Sequence, residues 1–99
     1  MINRVAKGSR KEKICYDQLK AEGYPLLWKT IRHKFLNIDF FGLFDVVACN
    51  GKKFRFIQVK SGYCSNEVRE NIRSCKLPSN CSKEIWCWFD NEGWRKEIL

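Results

Sequence analysis

The chain has 99 residues, with 19 Lys plus Arg against 11 Asp plus Glu and a net charge of +8. That length accommodates one domain with a modest core, and an aromatic fraction of 14% favours a packed globule over a disordered chain. No run of about eighteen apolar residues is present to span a membrane. Residues 1–13 are basic and lack the apolar core of a secretory signal. These features favour an intracellular protein.

Ser9 followed three residues later by Glu12 reads as a capping box that opens a helix, and Gly23 stops it. Ile14, Cys15 and Leu19 are its expected inward stripe. Pro25 opens a strand that runs to about Ile31, and Asn37 to Gly42 connects into a hairpin, with Asp39 as a turn residue. Ser61-Gly62 ends the hairpin's second arm. Val68, Ile72 and Cys75 mark a short amphipathic helix that stops near Pro78. Glu84 to Phe89 is an aromatic strand, and Asp90-Asn91-Glu92-Gly93 turns into a last short segment. Trp86 and Trp88 share one face, which suits a core or a dimer patch better than a base-stacking platform. The expected architecture is α/β: one domain over residues 1–99, an αβββαβ sandwich with a mixed central sheet flanked by helices.

Charge and cysteine content narrow the function. Basic residues cluster at Lys7-Arg10-Lys11-Lys13, Lys29-Arg32-Lys34 and Lys52-Lys53-Arg55. A field of that sign attracts polyanions, nucleic acid above all, although a solvated surface would carry the same clusters. The six cysteines contain no C-x-x-C pair, which argues against a structural zinc site. Cys15 and Cys49 fall in apolar patterns as core thiols, and pairing among the later cysteines stays open.

The hairpin carries the most information. Its arms, residues 44–49 and 54–60, are rich in Phe, Val and Ile, and Asn50-Gly51 is a strong turn signal. Apolar residues occupy both alternating sets, so both faces should be buried. Asp45, Gln58 and Lys60 are then costly unless they meet each other, a metal or a ligand. With a two-residue loop Asp45 lies diagonal to Gln58; with a four-residue loop it lies directly opposite. Either even loop puts Asp45, Gln58 and Lys60 on one face, because side chains alternate with period two.

With those residues in view, the chain resembles the PD-(D/E)xK nuclease superfamily, in particular its small resolvase-like and Mrr-like members from archaea, viruses and phages. Glu12 matches the helix acid, Asp45 the motif Asp, and Gln58-Val59-Lys60 the (D/E)-x-K tripeptide, with Gln in the acid's place. Phe41 to Ala48 is similar to the Asp-containing stretch of small members, and Ser61 after the lysine is common among them. The resemblance implies a DNA endonuclease that hydrolyses phosphodiester bonds, branched DNA being one substrate, and that works as a homodimer without an organic cofactor. It implies Mg²⁺, with Mn²⁺ able to substitute, held by Asp45, Gln58, the main-chain carbonyl of Val59, and Glu12. Lys60 would orient or deprotonate the attacking water, or stabilise the transition state.

DNA contacts are expected at Lys7, Arg10, Lys11, Arg32 and Lys34. The first three precede or begin a helix whose positive end suits a phosphate. His33 is read as a surface or phosphate contact. Three plainer readings stand beside these. The Gln-bearing tripeptide fits an inactive nucleic-acid-binding module of the same fold. Asp45 and Lys60 make a cross-strand ion pair in a purely structural hairpin, and Glu12 is a capping residue.

Overall fold

A computed structural model of the chain describes the backbone of residues 4–32 and 37–99, and the side chains of residues 10–31 and 39–99. His33 and Lys34 lie outside the described residues, as do the side chains of Lys7 and Arg32. Among the described residues no helix is long and apolar enough to cross a membrane.

The first helix, α1 (Arg4–Ala21), begins five residues before the expected cap, so Ser9 is interior to the helix and not its N-cap. Lys7 therefore lies in the first turn of the helix, and Arg10 and Lys11 lie further along it. Its end is as expected. Gly23 has φ 95°, Tyr24 N–H donates to Leu19 O, and Gly23 N–H donates to Lys20 O. These two bonds and the left-handed residue make a Schellman stop, and Tyr24 packs back against the cluster that holds Leu19.

The strands are β1 (Leu26–Lys29), β2 (Ile31–Arg32), β3 (Asn37–Ile38), β4 (Val46–Cys49), β5 (Phe54–Ser61), β6 (Cys81–Phe89) and β7 (Gly93–Ile98), with helix α2 (Asn66–Ser74) between β5 and β6. Five of them form a sheet in the order β1-β4-β5-β6-β7. The β5–β6 pair is parallel and the other neighbours are antiparallel. The strand expected from Pro25 to Ile31 is split at Thr30: β1 stays in the main sheet, while β2 pairs with β3 as a separate two-stranded sheet. The expected connection at Asn37 thus contains a short strand, followed by a turn in which Gly42 N–H donates to Asp39 Oδ1 at 3.0 Å.

The helices cover opposite faces. On the α1 side, Cys15 and Leu19 pack against Val46, Ala48, Ile57, Val59 and Trp86. Ile14, placed in the stripe by its hydrophobicity, is 37% exposed, and Glu12, three residues before Cys15, takes the inward position at 1% exposure. On the α2 side, Ile72 packs against Phe44, Cys64, Ile85 and Cys87, with Phe56 alongside. Full burial of a side chain such as Leu19 or Ile72 contributes about 2 kcal/mol. Every residue of β4 is buried, as the apolar pattern on both faces requires.

The ends of α2 are satisfied by residues the sequence reading left aside. Ser65 Oγ accepts from Val68 N–H as the N-cap. At the other end Lys83 Nζ donates to the carbonyls of Ile72, Arg73 and Cys75, each at 2.9 Å. That places a cation on the helix's negative pole and ties α2 to β6. All six cysteines are free thiols, with Cys15 and Cys49 buried in the core as expected.

A candidate active site where two strands part

The β4–β5 register fixes the turn. Cys49 faces Phe54 and Val46 faces Ile57, so the loop is the four residues from Asn50 to Lys53, with Asn50 Oδ1 accepting from the main-chain N–H groups of Lys52 and Lys53. Continued by one step, this register sets Asp45 opposite Gln58. The ladder does not continue, however. β4 starts at Val46, whereas β5 runs on through Gln58, Val59, Lys60 and Ser61 beside β6 alone. The tripeptide therefore sits on a length of β5 from which β4 has departed.

Asp45 occupies the fork. Its main-chain N–H donates to Ile57 O at 2.8 Å and its carbonyl accepts from Thr30 N–H at 2.7 Å. Among the described residues, its carboxylate accepts from Val59 N–H at 2.9 Å through Oδ2 and from Thr30 Oγ1 at 3.3 Å through Oδ1. A carboxylate thus takes a strand donor that a continued ladder would give to a main-chain carbonyl. In extended backbone the N–H and C=O of one residue point the same way, so the Val59 carbonyl is turned toward the same gap.

Alternation breaks at this point. Val46 belongs to the α1-side cluster, so strict period two would send Phe44 there as well, yet Phe44 packs on the α2 side against Phe56. Asp45 is consequently set edge-on to β5 instead of standing on one face. Within β5, Val59 faces α1, and Gln58 and Lys60 alternate with it onto the α2 side together with Phe56.

Glu12 reaches the same end of the sheet from the α1 side. It extends the buried stripe of Cys15 and Leu19 by one turn. Its neighbour Lys11 lies with Nζ 4.8 Å from the Trp88 ring, and Trp88 pairs with Ser61 at the end of β5. Arg10 is exposed on the helix surface. The fork thus fixes the Asp45 carboxylate on the Val59 main chain, with Gln58 and Lys60 flanking Val59 along β5 on the α2 side and Glu12 buried on the α1 side.

The donors at this fork are hard oxygen atoms: two buried carboxylates, Glu12 and Asp45, the Gln58 amide and the Val59 carbonyl. That set fits the preference of a small divalent cation such as Mg²⁺. Among the described residues no three His, Cys, Asp or Glu side chains converge, so the amide and the main chain would have to complete any such shell.

A second charged group stands at the opposite end of the parallel pair. Arg55 donates to Glu84 through Nε at 2.8 Å and Nη2 at 2.7 Å, and to Tyr24 Oη at 3.0 Å. Glu84 also accepts from Ser82 Oγ at 2.8 Å and Trp86 Nε1 at 3.1 Å. Burial acts to raise the Glu84 pKa, but the hydrogen bonds from Arg55, Ser82 and Trp86 outweigh it and hold the carboxyl below its ordinary value. Arg55, counted by sequence with Lys52 and Lys53 as a basic patch, is an internal ion-pair residue. The signal for it was the one used for Asp45, a charged residue in an apolar strand. A cavity of about 370 Å³ lies at this end of the pair, lined by Tyr24, Arg55 and Glu84. Arg55 and Glu84 in its lining are paired with each other.

The five-stranded mixed sheet with helices on both faces is a known architecture. It is similar to that of Hjc from Archaeoglobus fulgidus, a Holliday junction resolvase from an archaeal hyperthermophile. The TM-score is 0.68 and the identity 20%, over 92% of this chain and 76% of that one. At that identity the likeness speaks to the fold alone. No family model and no curated protein matches the chain.

Proposed function

We propose that this chain is a metal-dependent DNA endonuclease of the PD-(D/E)xK type, acting on branched DNA as a homodimer. One observation carries the reading: a buried carboxylate, Asp45, is fixed at the point where β4 leaves β5, and the open length of β5 bears Gln58-Val59-Lys60. The similarity of the fold to that of a junction resolvase supports the same reading.

Asp45, Gln58, the Val59 carbonyl and Glu12 would hold one Mg²⁺, two carboxylates being enough to balance one divalent charge. Bound there, the cation would polarise a phosphoryl oxygen and offset the charge that develops on it. The Thr30 hydroxyl and the Val59 N–H hold the Asp45 carboxylate in a single orientation, which removes the need to order it during the reaction. Lys60, one residue beyond Val59, orients or deprotonates the water that attacks phosphorus. Arg10 and Lys11, with Lys7, Arg32 and Lys34, would contact the phosphate backbone. A two-fold pair of protomers matches the paired strands of a branched duplex.

The test is incubation of supercoiled and four-way-junction DNA with the protein in Mg²⁺ or Mn²⁺, and again in EDTA. Cutting should require the metal and should stop in Asp45→Ala and Lys60→Ala while DNA binding persists. Gln58, an amide where the motif usually has an acid, favours a second reading, a binding module without activity. Binding that falls steeply with salt and is never followed by cutting selects that reading. No binding at low salt removes both.

A further inference from the structure

The α2-side face that carries Gln58 and Lys60 continues into a cavity of about 240 Å³ that the proposed chemistry does not use. Cys87 lines it and is the register partner of Lys60 on the neighbouring strand, so the cavity begins one strand spacing, about 4.8 Å, from the lysine. Cys64 lines it too, and its thiol feels the Lys60 charge.

The lining is chemically distinctive. Tyr63, three residues after Lys60, is 82% exposed at the rim, and its ring meets Phe89 edge-on at 4.9 Å. The Arg95 guanidinium lies 4.3 Å from the Phe89 ring. Arg69 forms a wall whose charge is spent: it pairs with Glu97 at 2.9 Å and donates to the Cys64 carbonyl at 2.8 Å. Burial pushes both thiols up, so they are neutral; of the other cations in the lining, Arg95 pairs with Glu92 at 2.9 Å and Lys96 Nζ lies 4.1 Å from the Trp86 ring. Neutral thiols with an aromatic and guanidinium rim suit a planar base; a phosphate would require uncommitted donors. The volume is below the roughly 300–1,000 Å³ of sites for drug-sized ligands, which suits a single ring system.

We infer that this cavity receives one unpaired DNA base next to the phosphodiester that is cut, stacked on Tyr63 and Arg95. The inference rests on the nuclease reading above and adds a source of preference for branched DNA, because a branch point supplies an unstacked base and an intact duplex does not.

Four-way junctions carrying 2-aminopurine at the branch point, and others carrying it mid-arm, test the inference with EDTA present to stop cutting. Binding should change the branch-point fluorescence at least twofold and leave the mid-arm signal unaltered. Tyr63→Ala should abolish the change and weaken junction binding about tenfold, the loss of one base–aromatic stack, with duplex affinity unaltered. Tyr63→Phe should restore both. Tyr63 is exposed, so these variants keep the fold. Wild-type signal and affinity in Tyr63→Ala, or an equal loss on duplex, overturns the inference while leaving the nuclease reading intact. Absence of any DNA binding by the wild type overturns the two together.

Discussion

The two ends of β5 handle buried charge in opposite ways. At Arg55, about 17 Å along the strand from Lys60, the carboxylate of Glu84 receives a bidentate guanidinium, a hydroxyl and an indole N–H inside a fully laddered region of sheet. At Asp45 the ladder has ended, and a carboxylate is held by a strand N–H and a threonine hydroxyl beside the four residues of β5, Gln58 to Ser61, that no longer face β4. A charge enclosed by matched partners in continuous sheet serves the fold. A charge fixed where strands part, on a strand N–H and a hydroxyl, stands beside main-chain groups that β4 does not take up. The same sequence signal, an ionic residue in an apolar strand, therefore has two meanings, and the continuity of the ladder separates them.

The largest effect is expected from breaking the enclosed pair. Arg55→Met leaves Glu84, only 4% exposed, without its counter-charge, and should cost about 3–5 kcal/mol in urea unfolding at pH 7. The pH dependence sharpens the test. In the native protein the Glu84 carboxyl is held low, so its contribution is present above the ordinary Glu value of about 4.3 and is lost as pH falls through the lower folded value. Without Arg55 burial prevails, the folded carboxyl rises above its unfolded value, and the variant gains stability as pH falls from 7 toward 4. The two stabilities should converge in acid. A gap below about 1 kcal/mol at pH 7 would mean that the two ends do not differ in the way described.

Next in size is the fork. Asp45→Asn retains an amide oxygen that can accept from Val59 N–H, so the fold should lose no more than about 1.5 kcal/mol, one net hydrogen bond. Metal-dependent cutting should nevertheless fall at least about 100-fold, the scale for removing one fixed electrostatic contact from a reacting centre. Paired measurements of unfolding and plasmid nicking check both halves. A variant that unfolds as readily as Arg55→Met would assign Asp45 to the structure instead.

Much of this contrast was legible in the sequence. The doubly apolar hairpin followed from its alternation and the helix stop from Gly23, whereas the shared face expected for Asp45, Gln58 and Lys60 gave way to an edge-on Asp45. The burial of Glu12 was not read: its distances from Cys15 and Leu19 are helical, but Ser9 offered a local capping role and Ile14 a more apolar occupant of the stripe. The longer helix removes the first and exposes the second. The break at Thr30 and the edge-on turn of Asp45 were not legible, because both come from β4 leaving the sheet, a tertiary event with no local composition. Arg55 and Glu84 meet across a parallel pair whose register is set through α2, and sequence spacing alone could not bring them together.

The smallest expected effect addresses Gln58, the residue at which the fork departs from its acidic counterparts. Gln58→Glu adds one negative charge to a site with a neutral amide at that position, on a half-buried stretch of β5 that β4 does not cover. If the amide oxygen is a cation ligand, the carboxylate should do the same work with more charge. Cutting should be kept or raised, and the Mg²⁺ concentration for half-maximal rate should fall severalfold, on the order of the affinity gained per added ligand charge. The cost of partial burial is offset only by a cation, so without Mg²⁺ the variant should be slightly less stable than the parent, and with it the difference should close. Thermal unfolding with and without Mg²⁺ reads that linkage independently of cutting. A variant that folds normally, gains no stability from Mg²⁺ and stops cutting would remove Gln58 from the cation's shell and leave it as a strand residue facing the base cavity.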